Sequence, residues 1–428
     1  MFFKVLFGGS VMRKKFSFFV LFFLISLICS LFLVSSGWAG EISMAGRKMP
    51  PTLEVGGNKF AGAGSCNKEK CHGHATKPRA NEYTTWIKAE IHSAGYSVLY
   101  EKEAKEIAKK FGIKGKAGED ERCAVCHAIF LDKKPDLKGA KFDVNEGVTC
   151  EACHGPSSGY LEPHAKPYEP KGAEGKVLDQ ARAKRHKESV GLGMWDAKNP
   201  KIRLETCVFC HYQISSKMLD AGHPDLNFEM TYFQKTMPVH WVETPDKGEG
   251  FSAKIAAAGQ AVSLREALKK LAASSGKENV KASYNQAMSH YKILKAIASA
   301  GFGSTGGLDA GMKGLAGGNS GASKLVGAAD KLFNTLIGAS YSKDSTPKIM
   351  KAIAGSADLT GNPTKRDAEQ AFMILDGIYS TYGEDEGVLG ALDELYYGLY
   401  AEDPAQEPPP YDGKAFGQNL AKVKAVVK

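Results

Sequence analysis

The sequence predicts a mainly α protein with little β structure, in which a segment rich in cysteine and histidine precedes an all-α helical segment. Two observations support this. Eight of the nine cysteines lie between residues 66 and 210, whereas beyond residue 250 there is no cysteine and apolar residues recur at three- and four-residue steps. The 428 residues are 43% hydrophobic and carry a net charge of +9. This composition is typical of a globular protein, and the charge is too small to indicate nucleic-acid binding.

The first 39 residues have the features of an export signal. Residues 13–15 are basic, residues 16–34 carry no charge and are mainly apolar, and Gly37 and Ala39 are the small residues that cleavage after Ala39 would need. The apolar run is longer than most signal sequences and approaches the length of a membrane span, so a retained membrane anchor is the alternative. We expect a periplasmic or extracellular protein that contacts a membrane only if this segment is retained.

The eight cysteines outside this leader form four pairs, and a histidine directly follows each pair. Three pairs have the spacing C-x-x-C-H that attaches haem covalently, and the first pair has two additional residues between its cysteines. In chain order, the four motifs consist of Cys66, Cys71 and His72; Cys123, Cys126 and His127; Cys150, Cys153 and His154; and Cys207, Cys210 and His211. Two thiols can bond the vinyl groups of one porphyrin, and the following imidazole can then bind its iron. We expect four covalently attached c-type haems, with structural zinc or disulfides as the alternatives.

Residues 60 to 240 resemble the tetrahaem cytochrome c-554 family of electron carriers. The residues that carry the likeness are the first motif, Trp86 and His92, residues 148–156 around the third motif with His164 after them, and His223-Pro224 after the fourth motif. The resemblance implies a periplasmic carrier with closely packed haems, in which the second-motif haem can lack a second axial ligand. The longer first motif and the segment after residue 245 depart from the family pattern.

Each iron can also bind a ligand on the face opposite its motif histidine. We expect His92, His164 and His223 in this distal position. His92 falls on a predicted helix over residues 81–100 and matches the family's distal histidine, and the other two lie beside prolines that can hold a loop rigid. The remaining histidines are weaker candidates, namely His240, His74, His186 in a basic stretch expected to be solvated, and His290 on a C-terminal helix. Three strong candidates serve four irons, and the resemblance implies that the second-motif haem is the one that lacks a distal histidine.

The domain organisation follows from these patterns. We expect a leader (1–39), a linker (40–59), a tetrahaem domain (60–245) and a C-terminal helical domain (246–428). Short helices are predicted over residues 81–100 and 101–111. Longer amphipathic helices are predicted around residues 280–297, 325–336, 368–379 and 388–399, with a final short helix after prolines 408–410. Residues 301–321 contain nine glycines, which predicts a mobile linker.

The favoured function is electron transfer between redox proteins that act as donor and acceptor, without catalysis. One alternative is an enzyme in which a five-coordinate haem acts on a small nitrogen oxide. Another is a subunit of an extracellular cytochrome filament. The helical domain is expected either to pack on the haem domain or to mediate partner binding or homo-oligomer formation. The sequence beyond residue 250 matches no nucleotide loop, catalytic triad or zinc site.

Overall fold

The computed structural model describes these residues: 57–77, 80–167, 170–241, 248, 250–383, 385–403 and 406–428. The expected leader and most of the expected linker lie outside the described residues. Within these ranges the secondary structure is helical, and extended residues pair only at one bridge, between Phe60 and Lys138. The prediction of a mainly α fold is therefore confirmed. No helix in the described part of the chain is long and apolar enough to cross a membrane.

Short helices separated by loops make up the cysteine-rich part. They are α1 (Glu82–Ala89), α2 (Lys102–Lys110), α3 (Glu121–His127), α4 (Cys150–His154), α5 (Leu161–Ala165), α6 (Gly175–Gly191), α7 (Pro200–His211), α8 (Ser216–Asp220) and α9 (Met230–Thr236). The predicted helix over residues 81–100 is interrupted after α1, and two 3₁₀ turns follow. The interruption occurs because Glu90 is extended and its buried carboxylate contacts the imidazole of His92.

The C-terminal part is a bundle of helices. They are α10 (Phe251–Ala273), α11 (Lys277–Ser299), α12 (Gly306–Gly314), α13 (Ala322–Gly338), α14 (Ser345–Ala354), α15 (Ala357–Thr360), α16 (Lys365–Tyr379), α17 (Glu386–Tyr397) and α18 (Gly413–Val426). Helices α11, α13, α16 and α17 confirm the periodic patterns. Helix α10 has no counterpart among the patterns, because it is buried on every side and so has no polar face to create a period.

The expectation of a mobile linker over residues 301–321 is wrong. Helix α12 occupies the middle of this segment and buries Leu308 and Met312 in the bundle core. A Cβ atom on Gly311 would lie 2.2 Å from the side chain of Leu325, so this glycine lets α12 approach α13 closely. Burial of the two apolar side chains therefore outweighs the entropic cost of the glycines.

The helical core does not stop at the predicted domain boundary near residue 245. One continuous apolar cluster joins Leu204 and Val208 of α7, and Met230 of α9, to the C-terminal helices. Helix α7 carries the fourth cysteine motif at its C-terminal end. The C-terminal bundle is therefore built directly onto a helix of the cysteine-rich part.

A buried charge cluster reinforces this junction. The guanidinium of Arg265 on α10 makes two hydrogen bonds to the carboxylate of Glu205 on α7, at 2.6 and 2.8 Å. It also donates to Glu266 at 2.7 Å and to Asp330 on α13 at 2.8 Å. Both Glu205 and Glu266 are buried. Arg265 thus ties the helix of the fourth motif to two helices of the bundle.

Candidate haem-binding region

Three of the four motifs occupy the last turn of a helix. Helices α3, α4 and α7 each end at the motif histidine, and a helical C-x-x-C spacing places both thiols on one side. The longer first motif forms a turn instead, in which the N–H of His72 donates to the carbonyl of Cys66 at 3.3 Å. None of the eight motif cysteines, all of which are described, forms a disulfide. In the described part, no group of three or more His, Cys, Asp or Glu side chains converges as a metal site such as zinc would require.

The motifs lie side by side. Val125, Ala152 and Phe209, which come from between the cysteines of the second, third and fourth motifs, share one buried apolar cluster with Phe60. The first motif joins this group through Cys66, because the thiol of Cys66 interacts with the thiol of Cys150. This contact, together with burial, raises the pKa of the Cys150 thiol. The loops and short helices thus gather all four motifs in one region.

Three motif histidines face the three sequence-predicted distal histidines. The ring centres are 5.8 Å apart for His72 and His164, 6.2 Å for His211 and His92, and 6.4 Å for His127 and His223. Two imidazole nitrogens that each bind at about 2 Å on opposite sides of one metal ion place the ring centres about 6 Å apart. The three pairs therefore have the separation that a six-coordinate haem iron requires.

The third-motif histidine, His154, has a less direct partner. Burial lowers its pKa to about 4, and the nearby His240, His72 and His164 act in the same direction, with His240 the largest of these electrostatic effects. The Nδ1 atom of His240 donates to the carbonyl of Pro238 at 3.2 Å, which leaves its Nε2 available. His240 is therefore the candidate for the face opposite His154, ahead of the other weaker histidines.

Hydrogen bonds at Nδ1 orient the second-motif pair. His127 donates from Nδ1 to the carbonyl of Gly95 at 2.8 Å, and His223 donates from Nδ1 to the carbonyl of Pro224 at 2.8 Å. Histidines that bind metals usually donate their other ring N–H in this way, which fixes the tautomer and the ring orientation. Both Nε2 atoms are then left with a lone pair for iron.

In the first-motif and fourth-motif pairs, the Nδ1 atom of one histidine contacts a carboxylate instead of a backbone carbonyl. The Nδ1 atom of His72 lies 2.9 Å from a carboxylate oxygen of Glu82. The Nδ1 atom of His92 contacts the carboxylate of Glu90. The side chain of Glu90 is only 4% exposed, and that of Glu82 is 26% exposed. In a neutral imidazole, a carboxylate at Nδ1 accepts the Nδ1 proton, and the lone pair then lies on Nε2.

The tautomer of His74 excludes it as an iron ligand through Nε2. Its Nδ1 atom accepts hydrogen bonds from the backbone N–H groups of Thr76, at 3.1 Å, and Lys77, at 2.9 Å. A neutral imidazole that accepts at Nδ1 carries its proton on Nε2, which then has no lone pair for a metal. His74 therefore shapes a turn behind the first motif.

The remaining two histidines, His186 and His290, have side-chain hydrogen-bond partners at their ring nitrogens. The Nε2 atom of His186 lies 2.8 Å from the carboxylate of Asp196. His290 is fully buried, with Nε2 at 2.9 Å from the hydroxyl of Tyr212 and Nδ1 at 2.9 Å from the amide oxygen of Gln260. Both therefore have structural roles.

The basic stretch around residue 185 differs from the expected solvated face. Arg185 on α6 is buried, and its guanidinium donates hydrogen bonds to the carbonyls of Pro163 and Lys166. These carbonyls flank His164 on both sides. Arg185 therefore positions a predicted distal histidine, a role that sequence reasoning missed because a buried arginine on a polar helix has no periodic pattern.

The structure also differs from the expectation of an open second-motif site, because His223 lies opposite His127. The position of His223 opposite His127 depends on how helix α8 ends. Gly222 adopts a φ of 100°, in the left-handed region, and the N–H of His223 donates to the carbonyl of Met218 at 2.9 Å. This turn brings the imidazole of His223 back over the second motif.

Cysteine pairs next to a histidine, with a second imidazole opposite, define the chain as a c-type cytochrome, a class of protein that holds haem covalently. Residues 65–155 match the model of the family described as cytochrome c554 and c-prime, which confirms the resemblance over the first three motifs. No curated protein and no solved structure matches the chain. The fourth motif and the C-terminal bundle lie outside the matched segment.

Proposed function

We propose that this chain is an exported tetrahaem cytochrome that transfers electrons between two redox proteins in the periplasm or outside the cell. The observation that carries the proposal is the set of three opposed imidazole pairs, each with one member in a cysteine motif. When bound, haem supplies reversible one-electron chemistry at its iron. The protein's part is to hold the cofactors close together, orient their ligands and exclude competing ligands.

Each proposed site takes two thiols, a motif histidine and a distal histidine. The sets are Cys66, Cys71, His72 and His164; Cys123, Cys126, His127 and His223; Cys150, Cys153, His154 and His240; and Cys207, Cys210, His211 and His92. In all four sets the motif histidine and the distal histidine lie far apart in the chain. Ligation would therefore tie the cysteine-rich loops together as well as bind iron.

Proximity of the motifs supports electron transfer within the protein. The contact between Cys66 and Cys150 brings the first and third motifs together, and the shared cluster around Val125 and Phe209 brings in the second and fourth. Burial also lowers the pKa of His211 to about 3, so this imidazole is neutral at pH 7, the form that binds iron. Short distances and ligation on both faces favour an electron carrier over the enzymatic alternative.

The test is haem stoichiometry in the full chain, expressed with export and cytochrome maturation. The intact mass should show four haem additions, and the double variant Cys207→Ala/Cys210→Ala should show three. The N-terminal sequence should begin after Ala39. The reduced wild-type protein should also reduce an added redox protein and keep its visible spectrum under carbon monoxide. A mass without haem, or an N-terminus at Met1, would contradict the corresponding part of the proposal.

A further inference from the structure

We infer that Glu82 and Glu90 are positioning residues that set the order of haem reduction, by holding the first-motif and fourth-motif haems at lower reduction potentials than the second-motif haem. The inference rests on the proposed function and adds to it which haems receive electrons last. It uses side chains that neither bind iron nor carry a motif.

Glu82 is held in place by the start of helix α1. The N–H of the next residue, Tyr83, donates to the carbonyl of His72 at 2.9 Å, which anchors the first turn of the helix to the first motif. The carboxylate of Glu82 then reaches Nδ1 of His72 at 2.9 Å. Backbone and side chain together fix this carboxylate on the ligand of one iron.

Glu90 is held at the other end of the same helix. Its side chain is only 4% exposed and contacts Nδ1 of His92, the imidazole that faces His211. The hydroxyl of Ser93 donates to the carbonyl of Glu90 at 2.8 Å, and the N–H of Val148 donates to the carbonyl of His92 at 3.0 Å. These bonds fix the backbone on both sides of the pair. The carboxylate of Glu90 is therefore held beside the imidazole of His92 and away from water.

The second-motif pair provides the comparison within the same chain. His127 and His223 both donate to neutral backbone carbonyls. A carboxylate withdraws the Nδ1 proton more strongly than a carbonyl does, which makes the imidazole a stronger electron donor to iron. A full negative charge near the iron also favours the oxidised state, and partial burial limits its screening. The second-motif haem should therefore be reduced before the haems of the first and fourth motifs.

The experiment is a redox titration of the full-length holoprotein, followed by optical and electron paramagnetic resonance spectroscopy. The variants are Glu82→Gln and Glu90→Gln, which keep the side-chain shape and remove the charge. Each should shift the reduction equilibrium of one haem at least tenfold toward the reduced state, which is 59 mV for one electron. The low-spin signal should persist, because both histidines remain.

Glu146→Gln is the matched control for Glu82→Gln. Glu146 accepts hydrogen bonds from the N–H groups of Ala63, at 2.9 Å, and Gly64, at 3.1 Å, just before the first motif. The substitution Glu146→Gln removes a carboxylate near the first motif that makes no hydrogen bond to an imidazole. We expect a smaller change in potential for Glu146→Gln than for Glu82→Gln.

The outcomes separate this inference from the proposed function. Wild-type protein without haem would overturn both. Full haem content with unchanged potentials in Glu82→Gln would overturn the inference alone, as would equal shifts in Glu82→Gln and the control Glu146→Gln. If Glu90→Gln does not fold, the partly exposed Glu82 still decides the result.

Discussion

The imidazole rings of His72 and His164 are parallel to within 3°. The planes of the other two opposed pairs, by contrast, cross at 78° and 71°. The relative orientation of two axial imidazoles controls how the iron d orbitals split, and therefore the spread of the resonance of low-spin ferric haem. The site with the parallel pair is thus distinguishable by spectroscopy from the two sites with crossed pairs.

We expect the oxidised holoprotein to show one rhombic low-spin signal from the parallel pair and signals with a large maximum g value from the crossed pairs. The variant His164→Ala should remove the rhombic signal and introduce a high-spin one. The variant His74→Ala serves as the control and should leave the spectrum unchanged, because Nδ1 of His74 accepts from backbone amides. Loss of a large-g signal in His164→Ala would contradict the pairing.

Removal of His223 should open the second-motif iron. In His223→Ala the face opposite His127 has no imidazole, so the reduced protein should bind carbon monoxide at that iron. The absorbance change should involve about one quarter of the haem if four are present. The matched variant is again His74→Ala, which should not respond to carbon monoxide. A response of equal size in the wild-type protein would show that His223 does not close the site.

Arg185 should control the ligation of the first-motif iron from a distance. In Arg185→Ala the carbonyls of Pro163 and Lys166 on both sides of His164 lose their guanidinium donor, so helix α6 no longer holds the loop that carries this histidine. We expect a fraction of high-spin haem at pH 7, measured by resonance spectroscopy, and a lower midpoint of thermal unfolding. Lys184→Ala is the control, since the Lys184 side chain is 80% exposed on the same helix. Identical spectra in both variants would refute this role.

Glu229 should make stability depend on pH. It is fully buried at the N-terminus of α9, and burial raises its pKa from 4.5 to about 7, although Thr231 and Gln260 donate to its carboxylate. Between these two values the folded state binds more protons than the unfolded state. The free energy of unfolding should therefore fall as the pH rises from 4.5 to 7, by about 3 kcal/mol, and then level off.

The comparison variant for this effect is Glu229→Gln. Urea unfolding of the two holoproteins at several pH values measures it, because contributions from all other groups are common to both. The difference in stability between wild type and variant should change across this pH window. Parallel pH profiles would show that Glu229 titrates normally.

The charge cluster of Arg265 should behave as a single unit. Arg265→Met leaves the buried carboxylates of Glu205 and Glu266 without their main partner, which should cost about 3–5 kcal/mol in the free energy of unfolding. The double variant Arg265→Met/Glu205→Leu should recover part of this loss, because one buried charge is gone. Lys269→Met, which removes a half-exposed partner of Glu266, should cost no more than about 1 kcal/mol. Additive effects in the double variant would contradict the coupling.

The local features of this protein follow from the sequence alone. Attachment of haem c requires two thiols and an imidazole at fixed short spacing, so the motifs around Cys123 and Cys150 are recognisable without a structure. The same holds for helices such as α11 and α16, because one face of each is apolar and the period is visible in a single chain. These features depend on neighbours within one or two helical turns.

Tertiary structure decided which distal histidine faces which motif. His164 faces His72 because Arg185, on another helix, holds the loop, and His223 reaches His127 only through the left-handed turn at Gly222. Tertiary structure also decided the tautomers of His127 and His223 and the position of α10, since long-range polar partners and burial on all sides leave no periodic trace. Such long-range contacts depend on the packing of distant segments, and no local pattern encodes them.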